Sequence, residues 1–371
     1  MLFFDYIFIG LVVFYLCQMV FLRWGLEKTR KYNLTIDYEP MVSVIVAARN
    51  EEENIRACIE SLLQLEYPKE KCELIIIDDG STDRTGAIAQ SFAKIHNHVR
   101  VIVSATGQGN LRGKANALSQ GIDQSKGEIL LFTDADCVVP PTWIRETVAH
   151  YAPGVAVVAG FTLLRHSTAF EAIQAIDWFL LFGVSAATAA WNMPLTGIGN
   201  NLSVRRSAYD AVGGYRNLPF SVTEDYALVQ AVWQKTRMEV RYPLNRKTLV
   251  VSKPCATLRS LFRQRQRWSV GGLEMVFRGF VLMAIPFALH LSFFVGFLLS
   301  PSWLWWTIMS VKIAGDIFLL WYPIRVFKEF NLLQYFLFFE LYFIVYEMFI
   351  PFIALLSRKV VWKERSFKDF Q

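Results

Sequence analysis

With 371 residues, 54% of them apolar and only 19% charged, the chain is too apolar to be wholly soluble. Its formal net charge is +6, but the basic residues gather beside apolar runs, so attraction to anionic headgroups explains them without nucleic acid. Five cysteines with no C-x-x-C argue against a disulfide framework or a cysteine zinc site and suit a reducing compartment.

Residues 6–22 and 280–311 carry no charge, and between 331 and 357 only Glu340 and Glu347 interrupt the apolar run. Stretches of about 18 apolar residues or more can cross roughly 30 Å of hydrocarbon. The first lacks a basic n-region and a small-residue cleavage site, so residues 1–24 read as a transmembrane helix rather than a signal peptide. Arg23, Lys28, Arg30 and Lys31 follow that run, and Arg325 and Lys328 follow the second. The positive-inside rule puts both groups in the cytosol. The expectation is an integral protein of the plasma (inner) membrane with a cytosolic catalytic domain.

After a polar linker, residues 42–48 read as a buried strand, and Asn50 as the N-cap of a helix reaching about residue 65. Strands follow at 74–77, 99–103 and 129–132, separated by helices at 85–95 and 114–124, with a glycine-rich loop at 107–113. This alternation predicts an α/β domain with a parallel, doubly wound sheet. Further on come a helix at 143–151, a strand at 155–158 and a weakly polar helix at 170–191, expected to lie amphipathically near the membrane. Residues 194–203 read as a Gly/Asn-rich loop, 205–212 as a helix ended by Gly213-Gly214, and 222–234 as a helix opened by Thr223-Glu224-Asp225. Residues 258–278 form an interfacial amphipathic helix with apolar Leu258, Leu261 and Phe262 among arginines.

The strand at 129–132 ends in Asp134-Ala-Asp136. Side chains alternate along a strand, so the two carboxylates share one side where parallel sheets bind ligands. Hard oxygens at that spacing suit Mg²⁺ or Mn²⁺, and such an ion suits a diphosphate. Asp78-Asp79-Gly80 at another strand end can accept hydrogen bonds from a base or ribose. Lys114, behind the glycine-rich loop, can place an ammonium beside a phosphate. Gln264-Arg-Gln-Arg267-Trp268 joins two guanidinium groups to an indole, which suits a diphosphate clamp beside an aromatic sugar platform.

These stretches, taken in order from Val42-Ser-Val-Ile-Val-Ala-Ala-Arg-Asn-Glu-Glu52 to Gln264-x-x-Arg267-Trp268, resemble the membrane-bound family-2 glycosyltransferases. That group contains cellulose, chitin and hyaluronan synthases and ceramide glucosyltransferase. The resemblance covers about residues 40–270 and implies a GT-A (Rossmann-like) nucleotide-sugar transferase domain over 40–257. By it, Ala48, Arg49 and Glu51 line the nucleoside pocket, with Asp78 and Asp79 at the base. Lys114 sits near the diphosphate, Asp134 faces the nucleotide and Asp136 holds a Mg or Mn ion. Asp225, beside Glu224, is the general base, and Arg267 neutralises the leaving diphosphate. Gln264 and Trp268 hold the diphosphate and acceptor end, and Asn200 and Asn201 belong to an acceptor-side loop. The implied reaction is inverting transfer from a nucleoside-diphosphate sugar, a UDP-sugar first, to a lipid or glycan acceptor. The alternatives are a processive polysaccharide synthase, a membrane nucleotidyltransferase, which would not need the Gln-x-x-Arg-Trp run, and a non-catalytic scaffold. About four spans are few for a polymer channel, which favours a lipid hydroxyl.

Residues 279–357 hold the C-terminal spans, the first two turning at Ser300-Pro301-Ser302. Lys312 and Asp316, at i and i+4, can pair on one helix face, and Glu340 and Glu347 share a face of the last segment. Three crossings after a cytosolic domain would leave the tail outside, whereas the basic tail at 358–371 (Arg358, Lys359, Lys363, Arg365, Lys368) asks for the cytosol. Either the last segment re-enters near Pro351 or one span lies at the interface.

Overall fold

The computed structural model describes residues 2–35, 37–107, 109–299, 303–356, 360–362 and 365–367. Val42–Ala48 (β1) is the hub of its sheet. Alternate residues face opposite ways: Val42, Val44 and Val46 join one buried cluster, and Ile45 joins the other. Cys72–Asp78 (β2) and Ile129–Phe132 (β4) flank β1 in parallel, and Val99–Val103 (β3) pairs parallel beyond β2. Coverage on both faces is why β1, the body of β2 and β4 read as apolar runs.

The rest of the sheet departs from the parallel expectation. Val155–Ala159 (β5), Thr162–Leu164 (β6), Leu202–Arg205 (β7), Glu239–Arg241 (β8) and Val250–Ser252 (β9) follow in the chain. The seven-stranded order is β3-β2-β1-β4-β7-β5-β8, and β7 runs antiparallel to both neighbours. The sheet is therefore mixed. The polar pair Asn200-Asn201 just before β7 made this short strand read as loop. Strands β6 and β9 pair separately, and Val138 bridges to β9.

Two layers cover the parallel half. Helices Ile55–Leu63 (α2) and Thr85–Ala93 (α3) follow β1 and β2. The first starts at Ile55 rather than after Asn50, because Asn50 takes a left-handed backbone (φ 51°) and its Oδ1 accepts from Thr82 N. Gly113–Asp123 (α4) lies so close to the other face that a Cβ on Gly121 would sit 2.7 Å from Ile77 Cδ1. Trp143–Val148 (α5), Arg206–Ala211 (α7), Gly214–Asn217 (α8) and Glu224–Thr236 (α9) complete the domain.

Leu2–Thr29 (α1) turns Phe8, Val12, Tyr15, Met19, Leu22 and Leu26 inward at alternating spacings of four and three. Its opposite side exposes Tyr6, Val13, Phe14, Val20 and Trp24, so the helix is apolar all round. Among the described residues, five helical segments are long and apolar enough to cross a membrane: Asp5–Thr29, Ala169–Ala190, Phe277–Leu298, Trp303–Phe327 and Phe330–Phe349. The second, Ala169–Ala190 (α6), expected as an amphipathic helix near the membrane, is buried among α1, β6, β8 and the C-terminal helices. A capping box between Thr168 and Glu171 starts it, and Gln174, Asp177, Ser185 and Thr188 are interior.

Leu258–Gly272 (α10) ends short of the predicted boundary, followed by Phe277–Leu299 (α11), Trp303–Phe327 (α12) and Phe336–Leu356 (α13). Helix α13 is continuous, so of the two alternatives for the last segment a re-entrant break near Pro351 finds no counterpart in the helix. Lys312 Nζ lies 2.8 Å from Asp316 and also pairs with Glu340 of α13, while Tyr15 of α1 donates to Asp316. Glu347 meets His290 of α11 at 2.7 Å. The two glutamates of one helix face thus serve two different neighbours. Arg358, Lys359, Lys363 and Lys368 lie outside the described residues. Two short strands, Val360–Trp362 and Arg365–Phe367, form an antiparallel pair.

Candidate active site

The carboxyl ends of β1 and β2 are laced together by Arg49. Its Nη1 donates to the Asp79 carbonyl at 2.6 Å and to the Gly80 carbonyl at 2.7 Å. Asp79 N donates to the Ala48 carbonyl, and Asp79 Oδ1, deeply buried, accepts from Ser104 Oγ at 2.8 Å. Asp78 Oδ1 caps the turn at Ser81 N, and Gly80 takes the φ of +66° that the turn needs. Glu51 accepts from Asn54 Nδ2 at 2.6 Å. Ala48, Arg49, Glu51, Asp78 and Asp79 therefore form one rim.

Asp134 and Asp136 are both half-buried and alternate with buried Ala135 and Cys137, but β4 has ended at Phe132 and Cys137 N donates to the Asp134 carbonyl at 3.0 Å, so a turn and not the period of a strand places the pair. Lys114, in the first turn of α4, places Nζ 2.6 Å from Asp134 Oδ1 and 3.3 Å from Glu224 Oε1. Burial alone would lower its pKa, but Asp134, Glu224 and Asp225 raise it, so the ammonium is firmly charged. Asp225, in the first turn of α9, accepts from Gly199 N at 2.6 Å and from Tyr226 N at 2.8 Å. Burial first and the neighbouring Glu224 second push its carboxyl up to about 6, against the pull of Lys114. Gly197 has to be small: a Cβ there would stand 2.7 Å from the Asp225 carbonyl. One lysine thus sits between the metal-type carboxylates of the sheet and the candidate base of α9.

Asp134 and Asp136 fit a divalent ion by donor chemistry, both offering hard carboxylate oxygens from one turn. No cluster of three or more His, Cys, Asp or Glu stands ready for a metal among the described residues. Such an ion would complete its shell with diphosphate oxygens and water. Nearby thiols are held protonated: burial pushes Cys58 and Cys137 well above their usual range. Burial chiefly pushes the Cys255 thiol up, Arg265 and then Arg267 of α10 pull it down, and Asp136 adds a smaller upward push, so this cysteine lies between α10 and the carboxylate corner.

Helix α10 presents Gln264 and Arg267 half-buried. Its Trp268 packs on Trp178 of α6 (centroids 5.6 Å apart), and Arg265 stacks over the indole at 4.4 Å. The indole expected to form an open sugar platform is therefore largely spent on packing. Asn200 and Asn201 also depart from the acceptor-side reading. Asn200 Oδ1 accepts from Thr162, and Asn201 accepts from Trp143 Nε1 and donates to the carbonyls of Phe161 and Thr248. Both brace β6 and β7 from inside. Residues that sequence reasoning passed over include the Gly199 amide, Asp177 (2.6 Å from buried Arg265) and Glu274, which accepts from Ser221 two positions before Thr223. Only Gly199 left a signal, in the Gly197-Ile-Gly199 repeat.

Comparison with known proteins bears on the family and the fold. The sequence profile of Glycosyl transferase family 2 matches residues 43–226, from the hub strand to the first turn of α9. Residues 43–226 are a family 2 glycosyltransferase domain. The transferase is 28% identical over 264 residues to glycosyltransferase AglE of Haloferax volcanii, covering 71% of this chain and 83% of that protein. It is 32% identical over 252 residues to the beta-monoglucosyldiacylglycerol synthase of a Synechocystis strain, covering 65% of this chain. The match spans only 49% of that relative's length. In fold it resembles the mannosyltransferase PcManGT from Pyrobaculum calidifontis, solved with GDP-Man and Mn²⁺ (TM-score 0.59, 18% identity, 91% of this chain and 98% of that one). The sheet is thus of the GT-A kind.

Proposed function

We propose that the transferase moves a sugar from a nucleoside-diphosphate sugar, a UDP-sugar first, to a hydroxyl of a membrane lipid, with inversion and with help from Mg²⁺ or Mn²⁺. The observation that carries this reading is the placement of Asp225. Its carboxylate is oriented by the Gly199 amide, raised to about 6, and separated from the Asp134 carboxylate by a single ammonium. A base with a pKa near working pH takes a proton from an attacking hydroxyl most effectively. Ala48, Arg49, Glu51, Asp78 and Asp79 would cradle the nucleoside. Lys114 and Arg267 would meet the diphosphate and offset the charge that builds as it departs. A divalent ion held by Asp134 and Asp136 would supply Lewis-acid stabilisation of the leaving group. Glu224 keeps Lys114 close to the base. The buried, protonated thiols of Cys58 and Cys137 offer no nucleophile, which suits direct in-line displacement.

The relative named for glucosyldiacylglycerol synthesis and the five membrane-length helices favour a lipid acceptor. Basic residues after α1 and α12 favour a cytosolic catalytic domain at the inner membrane. The test is release of nucleoside diphosphate by purified protein in detergent with Mn²⁺, lipid extract and a panel of donors, alongside Asp225→Asn. Release from one donor, lost in the variant, is the expected result. Release that survives the variant would remove Asp225 from the mechanism.

A further inference from the structure

Helix α10 has two faces with opposite fates. Leu261, Arg265 and Trp268, at i, i+4 and i+7, turn toward α6 and α13. Arg265 is buried and meets Asp177 at 2.6 Å. Tyr342 of α13 donates to that same carboxylate, and Tyr346 lies under the guanidinium at 5.7 Å. A charge pair this enclosed holds only in one geometry, so it fixes the rotation of α10 about its axis.

That rotation presents Arg259, Arg263 and Arg267 on the other side. At i, i+4 and i+8 they fall within an arc of about 80°. Arg259 and Arg263 are exposed, Arg267 is half-buried, and none of the three is paired with a carboxylate among the described residues. The same arc ends at Val270, which packs against Val222, and at Gly271, whose Cβ position lies against Thr223. Those two partners immediately precede Glu224 and Asp225. Beside the arginines, Leu258 (74% exposed) and Phe262 (46%) offer an apolar flank. An unneutralised row of guanidinium groups leading to the base, with apolar surface alongside, matches an amphiphile whose headgroup is anionic. Guanidinium recognises phosphate in bidentate fashion.

From this juxtaposition we infer that the acceptor is a lipid whose headgroup carries both a phosphate and a free hydroxyl. The phosphate lies along Arg259 and Arg263, and the hydroxyl reaches Asp225. The inference rests on the transferase reading above and names its acceptor class. It predicts that a neutral lipid alcohol is a poor substrate, since nothing in it would meet the arginine row.

The test uses the full chain in phosphatidylcholine proteoliposomes with the donor found active. Three probes serve as acceptors: phosphatidylinositol, a polyprenyl-diphosphoryl monosaccharide, and diacylglycerol, which has a hydroxyl and no phosphate. Transfer to at least one phosphate-bearing probe with higher kcat/KM than to diacylglycerol is expected. Arg259→Gln/Arg263→Gln should raise the KM for that probe by about tenfold while kcat at saturating acceptor is kept. Arg325→Gln/Lys328→Gln removes two cations at the end of α12 and should leave all constants unchanged.

Equal or better use of diacylglycerol, transfer to neither phosphate-bearing probe, or an equal KM shift in the α12 control would each overturn the inference. The last would show that the row serves only bulk attraction to the bilayer. Such outcomes leave the transferase reading standing as long as nucleoside diphosphate is released. Absence of that release with every donor would instead sink the transferase reading, and this inference with it.

Discussion

Two lysines in this molecule sit between carboxylates from different elements, and they are put to opposite uses. Lys114 bridges Asp134 at the end of β4 and Glu224 at the start of α9, at 2.6 and 3.3 Å. Lys312 bridges Asp316 in its own helix and Glu340 in α13, with the Tyr15 hydroxyl donating to Asp316. The side chain of Lys114 keeps 17% of its surface and Asp134 keeps 37%, whereas Lys312, Asp316 and Glu340 are all but sealed. A closed cluster has no room for a ligand, so its charges can only hold α1, α12 and α13 in register. The open one can exchange its partners. Lys114 and Asp134 are each half of an interaction that a diphosphate and a divalent ion could take over. Access, more than composition, separates the two.

The contrast is tested most severely at the base. Asp225→Asn keeps the shape of the side chain and should lower kcat by about a thousandfold with little change in either KM, read by nucleoside-diphosphate release. The same variant should be at least as stable as the parent at pH 7. A carboxyl whose folded pKa of about 6 exceeds its unfolded value of about 3.9 is favoured in the fold only while protonated, and that advantage is lost as pH rises from about 4 to 6. If thermal unfolding in detergent shows a large loss instead, Asp225 is a structural capping residue. The closed cluster should answer in the reverse way. Lys312→Met strands two carboxylates in the helix bundle and should cost about 3–5 kcal/mol of stability, with residual activity per folded molecule near normal. A stable Lys312→Met protein that fails to transfer would break the comparison from its other side.

A third pair lies between these extremes. Asp177→Asn leaves the buried guanidinium of Arg265 without its counter-charge and should destabilise by an amount approaching that of Lys312→Met. Replacing both partners, as Asp177→Leu/Arg265→Met, should recover most of the stability, because two well-packed apolar groups need no pairing. If catalysis depends on the fixed rotation of α10, kcat stays low in the double variant although the fold is restored. Recovery of both would reduce the pair to scaffolding.

How much of this was legible in the chain depended on how far apart the partners are. Strands β1, β2 and β4 announce themselves because burial on both faces demands uncharged runs, whereas Asp134 and Asp136, expected to share a side through the period of a strand, lie on a turn closed by Cys137 N and the Asp134 carbonyl. The start of α2 was misplaced because Asn50, an apt N-cap by composition, spends its amide oxygen on Thr82 across the rim. Strand β7 hid behind Asn200 and Asn201, whose polarity is satisfied by carbonyls and side chains more than 35 residues away. The long-range charge pairs were the least readable. Lys312–Asp316 shows as an i, i+4 pair, but Glu340 joins it from another helix, and Asp177 and Arg265 are 88 positions apart. Sequence spacing carries local geometry, and nothing local encodes which helix a buried charge will meet.

The smallest effect is also the most specific to the open cluster. With Asp225 raised to about 6, kcat/KM should climb with pH through that region and level off above it, since only the ionised carboxylate can take a proton. Lys114 pulls the Asp225 pKa down, whereas burial and Glu224 push it up. Lys114→Gln removes the only downward pull from a side-chain charge among these influences and leaves the upward ones in place. Its limb should therefore move to higher pH, on top of a fall in donor affinity of roughly tenfold from the lost phosphate contact. The two effects separate cleanly, because saturating donor restores the affinity loss and cannot restore the limb. A limb that stays where it was would mean that the ammonium is screened from the base. Lys114 would then act on the diphosphate alone, and the open cluster would be two neighbouring sites sharing a side chain.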